Sequence, residues 1–265
     1  MGASVDLTTT IAPCREACPA GIDVPRYIRH IRNRAFDMAL AVIREKIPFP
    51  AVCGYACVHP CESKCARIQY DEAIAIRLLK RAAYEKSGGV LAYERKAKPT
   101  GKKVAVIGAG PCGLTAASYL AAAGHAGSVF EARPRAGGML RYGIPEYRLP
   151  NDILDQEIAM IASRGVEIVT DRPVSSAREL LAKGYDAVLA ASGAWKSVKM
   201  GIAGEDSPLV MDGLAFLQEV NSGTRSAIGK SVIVIGGGNT AIDAARAAVR
   251  LGAKTRLVYR RSRAE

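Results

Sequence analysis

The chain has no apolar run of the roughly 18 residues that a membrane span requires. Leu180 to Trp195 comes nearest, and Lys183 and Asp186 interrupt it. It also has no basic-then-apolar leader at its start, where Asp6 falls early. Met1-Gly2 lacks the Ser or Thr that N-myristoylation wants at the sixth place, because Asp6 occupies it. These absences point to a cytoplasmic protein. Clustered Lys/Arg runs with interleaved aromatics are missing too, so nucleic acid is not the expected partner. The formal charge of +12 then suits phosphorylated cofactors or an acidic electron-carrier partner, or else an ordinary solvated basic face.

About half of the 265 residues are apolar and 23% are charged, as in ordinary globular proteins. Val24 to Lys46 carries a helical pattern, with Tyr27, Ile28 and Ile31 followed by Met38, Leu40, Val42 and Ile43. Ala73 to Lys86 reads as another helix, with Ile74, Leu78 and Leu79 on its apolar face. From Lys103 the rhythm changes to short β-branched runs alternating with alanine-rich helices, which implies parallel strands with crossovers. Strands are expected at 104–107, 128–131, 166–169 and 187–191, and helices at 111–123, 151–164 and 176–183. A further strand–helix–strand unit starts at Ser231, and its second strand, Arg256–Tyr259, comes just before the chain stops at Glu265. That reads as a nucleotide domain cut short.

Six of the seven cysteines fall in the first 65 residues. In a reducing compartment such grouping favours metal over disulfides. Cys14 and Cys18 are followed, after a helical hairpin, by Cys53, Cys57, Cys61 and Cys65. Spacing of four places thiols on one helical face or bunches them in a loop. Pro19 and Pro60 beside them match the prolines that flank iron–sulfur ligands. Soft thiolates suit iron–sulfur and zinc alike, so both readings stand on ligand type. Cys112 has no partner at a redox spacing and reads as a small packed residue. His125 reads as a turn residue after Gly124 and Trp195 as core or ligand-side packing, while His30 and His59 have no assigned role.

Two glycine-rich turns end in opposite chemistry. Gly108, Gly110, Pro111 and Gly113 follow one strand and open a helix, and Glu131 stands 18 residues past the last glycine. Such an acid accepts hydrogen bonds from ribose hydroxyls, while the glycines give the tight turn, the approach to a pyrophosphate and close helix–strand packing. This turn is expected to bind FAD. Gly236, Gly238 and Ala241 form the second turn, with Asn239 and Thr240 opening its helix. Arg260, 19 residues past Ala241, and Arg261 occupy the place of the acid. Paired arginines suit a 2′-phosphate, so this turn is expected to take NADP(H).

Residues 13–25 and 53–65 together resemble the N-terminal cluster domain of the NADPH-dependent glutamate synthase small subunit and of dihydropyrimidine dehydrogenase. Residues 137–150, the Ala191-Ser192-Gly193-Ala194 turn, 236–246 and 259–262 resemble the same flavoprotein family. The family's domain holds two 4Fe-4S clusters, and the resemblance implies that Cys14 and Cys65 belong to one and Cys18, Cys57 and Cys61 to the other. Cys53 is not a ligand position in that family. The family's C-x₂-C pair upstream of Cys14 is absent, and Lys80 stands where it has a non-cysteine ligand. One cluster from the five matching cysteines is therefore expected. The resemblance also places Gly138, Leu140, Arg148 and Gly193 along the FAD, and it names no catalytic side chain.

The implied architecture is α/β. A helical iron–sulfur domain (1–90) and a linker (91–102) precede an incomplete Rossmann-like FAD-binding domain (103–228) and the start of a Rossmann-like NAD(P)-binding domain (229–265). The implied activity is an NAD(P)H-dependent FAD/iron–sulfur oxidoreductase. Electrons would pass between NADPH, FAD and the cluster to a larger catalytic subunit such as glutamate synthase, or to a ferredoxin-like carrier. The alternative is a non-catalytic cofactor-binding or assembly module, and a zinc-stabilised interaction domain is a third reading.

Overall fold

The computed structural model describes residues 11–88 and 97–261, and the chain divides into two compact units, Met1–Glu94 and Arg95–Glu265. Among the described residues of the first unit the elements are helical: α1 (Pro13–Glu16), α2 (Val24–Arg32), α3 (Phe36–Arg44), α4 (Pro50–Ala56), α5 (Pro60–Ser63), a 3-10 turn (Ala66–Gln69) and α6 (Ile76–Lys86). Asp23 starts α2 by accepting the Arg26 N–H at 3.2 Å. The helical pattern from Val24 to Lys46 resolves into two helices because Arg34 takes φ +58 after the Asn33 cap. That left-handed residue turns the chain back and forms the hairpin.

Ile22, Val24, Tyr27, Val42, Ile43, Ile76 and Ala83 form the core of this unit together with Cys61. Tyr27 is fully buried and donates its hydroxyl to the Ile76 carbonyl at 3.0 Å, which satisfies its one polar atom. A Cβ at Gly54 would stand 2.9 Å from Arg81 Cα, so the missing side chain lets α4 and α6 approach closely. Of the apolar face expected for α6, Ile74 and Leu79 pack against the core, and Leu78 does not. Leu78 is exposed, and the buried face is Ile76, Lys80, Ala83 and Tyr84. Met38 on α3 is exposed as well.

The second unit begins with a parallel sheet of order β3-β2-β1-β4, made of β1 (Lys103–Ile107), β2 (Ala126–Phe130), β3 (Val166–Val169) and β4 (Ala187–Ala190). Helices α7 (Pro111–Ala122), α8 (Met139–Tyr142), α9 (Asn151–Ala162) and α10 (Ala177–Ala182) lie in its connections. β2 starts two residues earlier than the sequence suggests and includes Gly127, which pairs with Val104 and Val166 in the middle of the sheet. Hydrogen bonding on both sides holds that glycine extended despite its weak strand propensity. The basic linker lies partly outside the described residues. Its described part runs against the end of α7, with Ala97 and Thr100 N–H groups donating to the Ala122 and Gly124 carbonyls at 3.2 and 2.9 Å.

A two-stranded parallel sheet follows: β5 (Ser231–Ile235) and β6 (Lys254–Val258), joined through α12 (Asn239–Arg250). Helix α11 (Gly213–Asn221), which the sequence reading had not marked, packs on α12 through Phe216, Leu217, Ala244, Ala247 and Ala248. Small alanines on α12 allow that close contact. Asp212 opens α11 by accepting the Ala215 N–H at 2.8 Å. Among the described residues no helix is long and apolar enough to cross a membrane.

Candidate cofactor sites

The first glycine turn joins β1 to α7 and forms one wall of a cavity of about 630 Å³. Gly108 takes φ +105, and a Cβ there would meet the Ala191 carbonyl oxygen at 2.4 Å. At Gly113 a Cβ would lie 1.9 Å from the Gly108 carbonyl oxygen, so this position needs glycine for packing. Gly110 differs. Its φ is −80, and a Cβ would meet nothing closer than Gly138 Cα at 3.8 Å. Room is therefore left on the cavity side where α7 begins. Pro111 occupies the first turn of α7, and no side chain caps that helix start. Its first N–H groups are the usual docking point for a phosphate.

Glu131 follows the end of β2 and is 6% exposed. Its carboxylate accepts the Ala109 N–H at 2.8 Å and the Arg133 N–H at 3.0 Å. Two carboxylate oxygens offer more acceptor sites than these two bonds use, so capacity remains for hydroxyl donors. Gly108, Gly110, Pro111, Glu131, Gly138 and Gly193 all line the cavity. Gly113 lies behind the wall, and Leu140 and Arg148 are not among the lining residues. The segment from Gly137 contains the short helix α8 where periodicity alone suggests a loop, and Gly137 N–H donates to Ala109 O at 2.8 Å. Arg148 turns away and pairs with the buried Asp243 of α12.

Sequence reasoning missed part of this wall. The Arg133 guanidinium lies 4.1 Å from the Trp195 ring and 4.7 Å from the Tyr142 ring. It also donates to Gln218 Oε1 at 2.7 Å, while Trp195 Nε1 donates to the Ser192 carbonyl at 2.9 Å. Arg172 lines the same cavity. Cys112, expected to pack inside the turn, is exposed and faces the cavity, because the second position of α7 points outward. The only signal for Arg133 was its place two residues after Glu131.

The second turn repeats the first in backbone shape. Gly236 takes φ +132, as Gly108 takes +105, and Gly238 (φ −80, ψ 175) matches Gly110 (φ −80, ψ −177). A Cβ at Gly238 would meet nothing within 4 Å, and no side chain caps α12. Asn239 and Thr240 at its start are exposed. The Tyr259 ring lies over Gly237, where a Cβ would come within 2.6 Å of it. Arg260 and Arg261 follow β6 and are exposed.

In the first unit, α1 packs on α5 and brings the early thiols to the later ones. Cys14 and Cys18 lie against the core that contains Cys61. Burial pushes the Cys14 thiol up, with Cys65 near enough to add to the push. Burial likewise pushes Cys61 up, assisted by Cys57 and Cys18 and opposed by Lys80. His59, in the left-handed region at φ +45, donates its backbone N–H to Cys57 Sγ at 3.3 Å. Its Nδ1 lies 3.1 Å from Glu62 Oε2, and Glu62 Oε1 accepts the Arg77 N–H at 2.8 Å. Cys53 lies on α4, and no disulfide joins the cysteines of the described residues. Among the described residues no three His, Cys, Asp or Glu side chains gather closely enough to hold one metal ion. A 4Fe-4S cluster asks for a different arrangement, in which each thiolate meets a different iron. The partly buried thiol groups and the N–H aimed at Cys57 suit it.

Residues 102–265 match the pyridine nucleotide-disulphide oxidoreductase family, and residues 6–88 match dihydropyrimidine dehydrogenase domain II, 4Fe-4S cluster. The NADPH-Fe(3+) oxidoreductase subunit beta of Geobacter sulfurreducens is 44% identical over 264 residues, covering 96% of this chain and 39% of that protein. The NADP(+)-dependent formate dehydrogenase subunit beta of Moorella thermoacetica is 45% identical, covering 96% and 40%. The glutamate synthase [NADPH] small chain of Bacillus subtilis is 34% identical, covering 90% and 51%. The chain therefore spans between two fifths and half of these relatives' length.

Proposed function

The chain belongs to the pyridine nucleotide-disulphide oxidoreductase family, and on that premise we propose that it is the FAD- and cluster-bearing part of an NADPH-dependent electron-transfer subunit. When bound, FAD supplies a ring that takes hydride from NADPH and releases electrons singly, and a 4Fe-4S cluster supplies a one-electron relay. The protein's own residues bind and orient. Gly108, Gly110 and Gly113 shape the turn, Pro111 starts the helix that faces the pyrophosphate, and Glu131 accepts from the ribose hydroxyls. Gly138 and Gly193 let backbone run along the ligand, and Leu140, in the short helix α8 that starts at the neighbouring Met139, is assigned to the same stretch behind the cavity wall. The observation that carries this reading is the convergence, on one cavity, of an uncapped α7 start, open space at Gly110 and the buried Glu131.

For the nicotinamide cofactor we assign Gly236, Gly238, Asn239 and Thr240 to the pyrophosphate, and Arg260 and Arg261 to the 2′-phosphate. Cys14, Cys18, Cys57, Cys61 and Cys65 are the proposed cluster ligands. The linker and domain limits of the sequence reading stand as part of this proposal. Three relatives bear names of subunits or a small chain, which supports a larger catalytic subunit or a ferredoxin-like carrier as electron partner. A net charge of +12 suits an acidic one. A run of cysteines with no disulfide between them supports the cytoplasm.

Anaerobic addition of NADPH to the purified, cofactor-loaded chain tests the reading. Bleaching of the flavin absorption, faster with NADPH than with NADH, is expected. A bound flavin that neither nucleotide reduces would count against the electron-transfer assignment and favour a non-catalytic module.

A further inference from the structure

Helix α6 carries a basic residue in the middle of the face that it buries. Ile76, Lys80, Ala83 and Tyr84 recur at helical spacing, and all four are buried. Ile76 and Ala83, which flank Lys80 on that face, belong to the same apolar cluster as Cys61. Cys14 and Cys18 pack against that cluster too. Lys80 is 5% exposed on a helix that packs against α5, which carries Cys61, and its charge opposes the upward push that burial gives the Cys61 thiol. Among the described residues no carboxylate forms an ion pair with it. A buried cation without an anion is strongly unfavourable. The thiols beside it supply that anion only as thiolates, which is the form that binds iron.

Resting on the cluster reading above, we propose that Lys80 is the charge partner of the iron–sulfur cluster that Cys61 helps to hold, and that it holds the cluster's reduction potential high. Reduction adds one electron to the cluster iron. Lys80 gains and loses neither electron nor proton, and acts through its fixed charge alone. A cation stabilises the more negative, reduced form, so removing it drives the potential down. Lys80 is in this account a tuning residue and not a ligand.

The test is a redox titration of the full chain, purified anaerobically and followed by EPR, with iron and sulfide measured on the same samples. Lys80→Met keeps the side-chain length and deletes the charge. It is expected to lower the reduction equilibrium at least tenfold, a shift of 59 mV for one electron, with iron content and EPR line shape unchanged. Lys80→Arg keeps the charge and is expected to stay near the wild-type value. Lys80→Gln, neutral but polar, is expected to repeat the drop and supplies the measurement if the Met variant does not fold. A neutral variant with the wild-type potential overturns the proposal. So does loss of iron or a changed line shape in the Met and Arg variants alike, which is the mark of a direct nitrogen ligand. Wild-type protein without iron or sulfide sinks the cluster reading itself, a different result from a loaded cluster indifferent to Lys80.

Discussion

A methyl group at Gly113 would stand 1.9 Å from the Gly108 carbonyl oxygen, whereas one at Gly110 would meet nothing nearer than 3.8 Å. The two glycines of one turn therefore serve different ends. Gly113→Ala is expected to destabilise the chain by about 3 kcal/mol or more, since backbone must move to admit it. Gly110→Ala is expected to melt like the parent and to lose FAD occupancy, as read by flavin content after gel filtration. If Gly110→Ala keeps its flavin, the pyrophosphate does not lie there. Asp186 gives a pH-dependent contrast. The Lys102 ammonium, at 2.8 Å, holds its carboxyl below the ordinary range, with the Lys103 N–H adding to the effect. Depression of the folded value stabilises the fold above the usual Asp value of about 3.9 and is lost as pH falls through the folded value. Asp186→Asn should thus melt below wild type at neutral pH, and the gap should close in strong acid. At this scale the place of Glu131 on the cavity wall was legible, because its spacing from Gly113 is fixed by one strand–helix–strand unit. The Arg133–Trp195 stack was not, because its partners meet only after the sheet has formed.

Tyr147 and Arg148 connect the segment after the first turn to α12. Arg148 pairs with Asp243, the Tyr147 hydroxyl donates to the Asp243 carbonyl at 3.3 Å, and the Arg250 guanidinium lies 3.9 Å from the Tyr147 ring. Removing one member of a buried pair leaves the other uncompensated, so Asp243→Ala is expected to cost about 3 kcal/mol in denaturant unfolding. Asp243→Leu with Arg148→Met should recover most of that loss. Equal losses for the single and double variants would show that the pair does not join these elements. The alternation of strands and helices was readable from Lys103 onward because each parallel strand is a short β-branched run. The register of helical faces was less so. Leu78 faces solvent while Lys80 is buried, since α6 turns its Ile76–Ala83 face to the thiols. Hydrophobicity alone ranks those residues the other way.

At the scale of the whole chain, the proposed reading assigns two cofactors to two similar backbones by the acid after one turn and the paired arginines after the other. Gly110 and Gly238 share a conformation, so in that reading the difference in nucleotide comes from the strand ends. Arg260→Ala and Arg261→Ala are each expected to weaken NADPH binding by roughly 10- to 100-fold, the worth of one charge-assisted hydrogen bond, and to leave NADH binding little changed. Equal losses for both nucleotides in a titration of the variants would remove the 2′-phosphate role. The cysteine-rich helical unit and the nucleotide-binding unit were both legible in the sequence, through cysteine spacing and strand rhythm respectively. What the cysteines hold was open on ligand type alone. The most direct measurement is therefore the cofactor content of the purified chain: metal analysis, acid-labile sulfide and the visible spectrum on one anaerobic sample. The account predicts FAD together with iron and sulfide, seen as flavin bands on a broad iron–sulfur absorption. A colourless protein that contains zinc would contradict it.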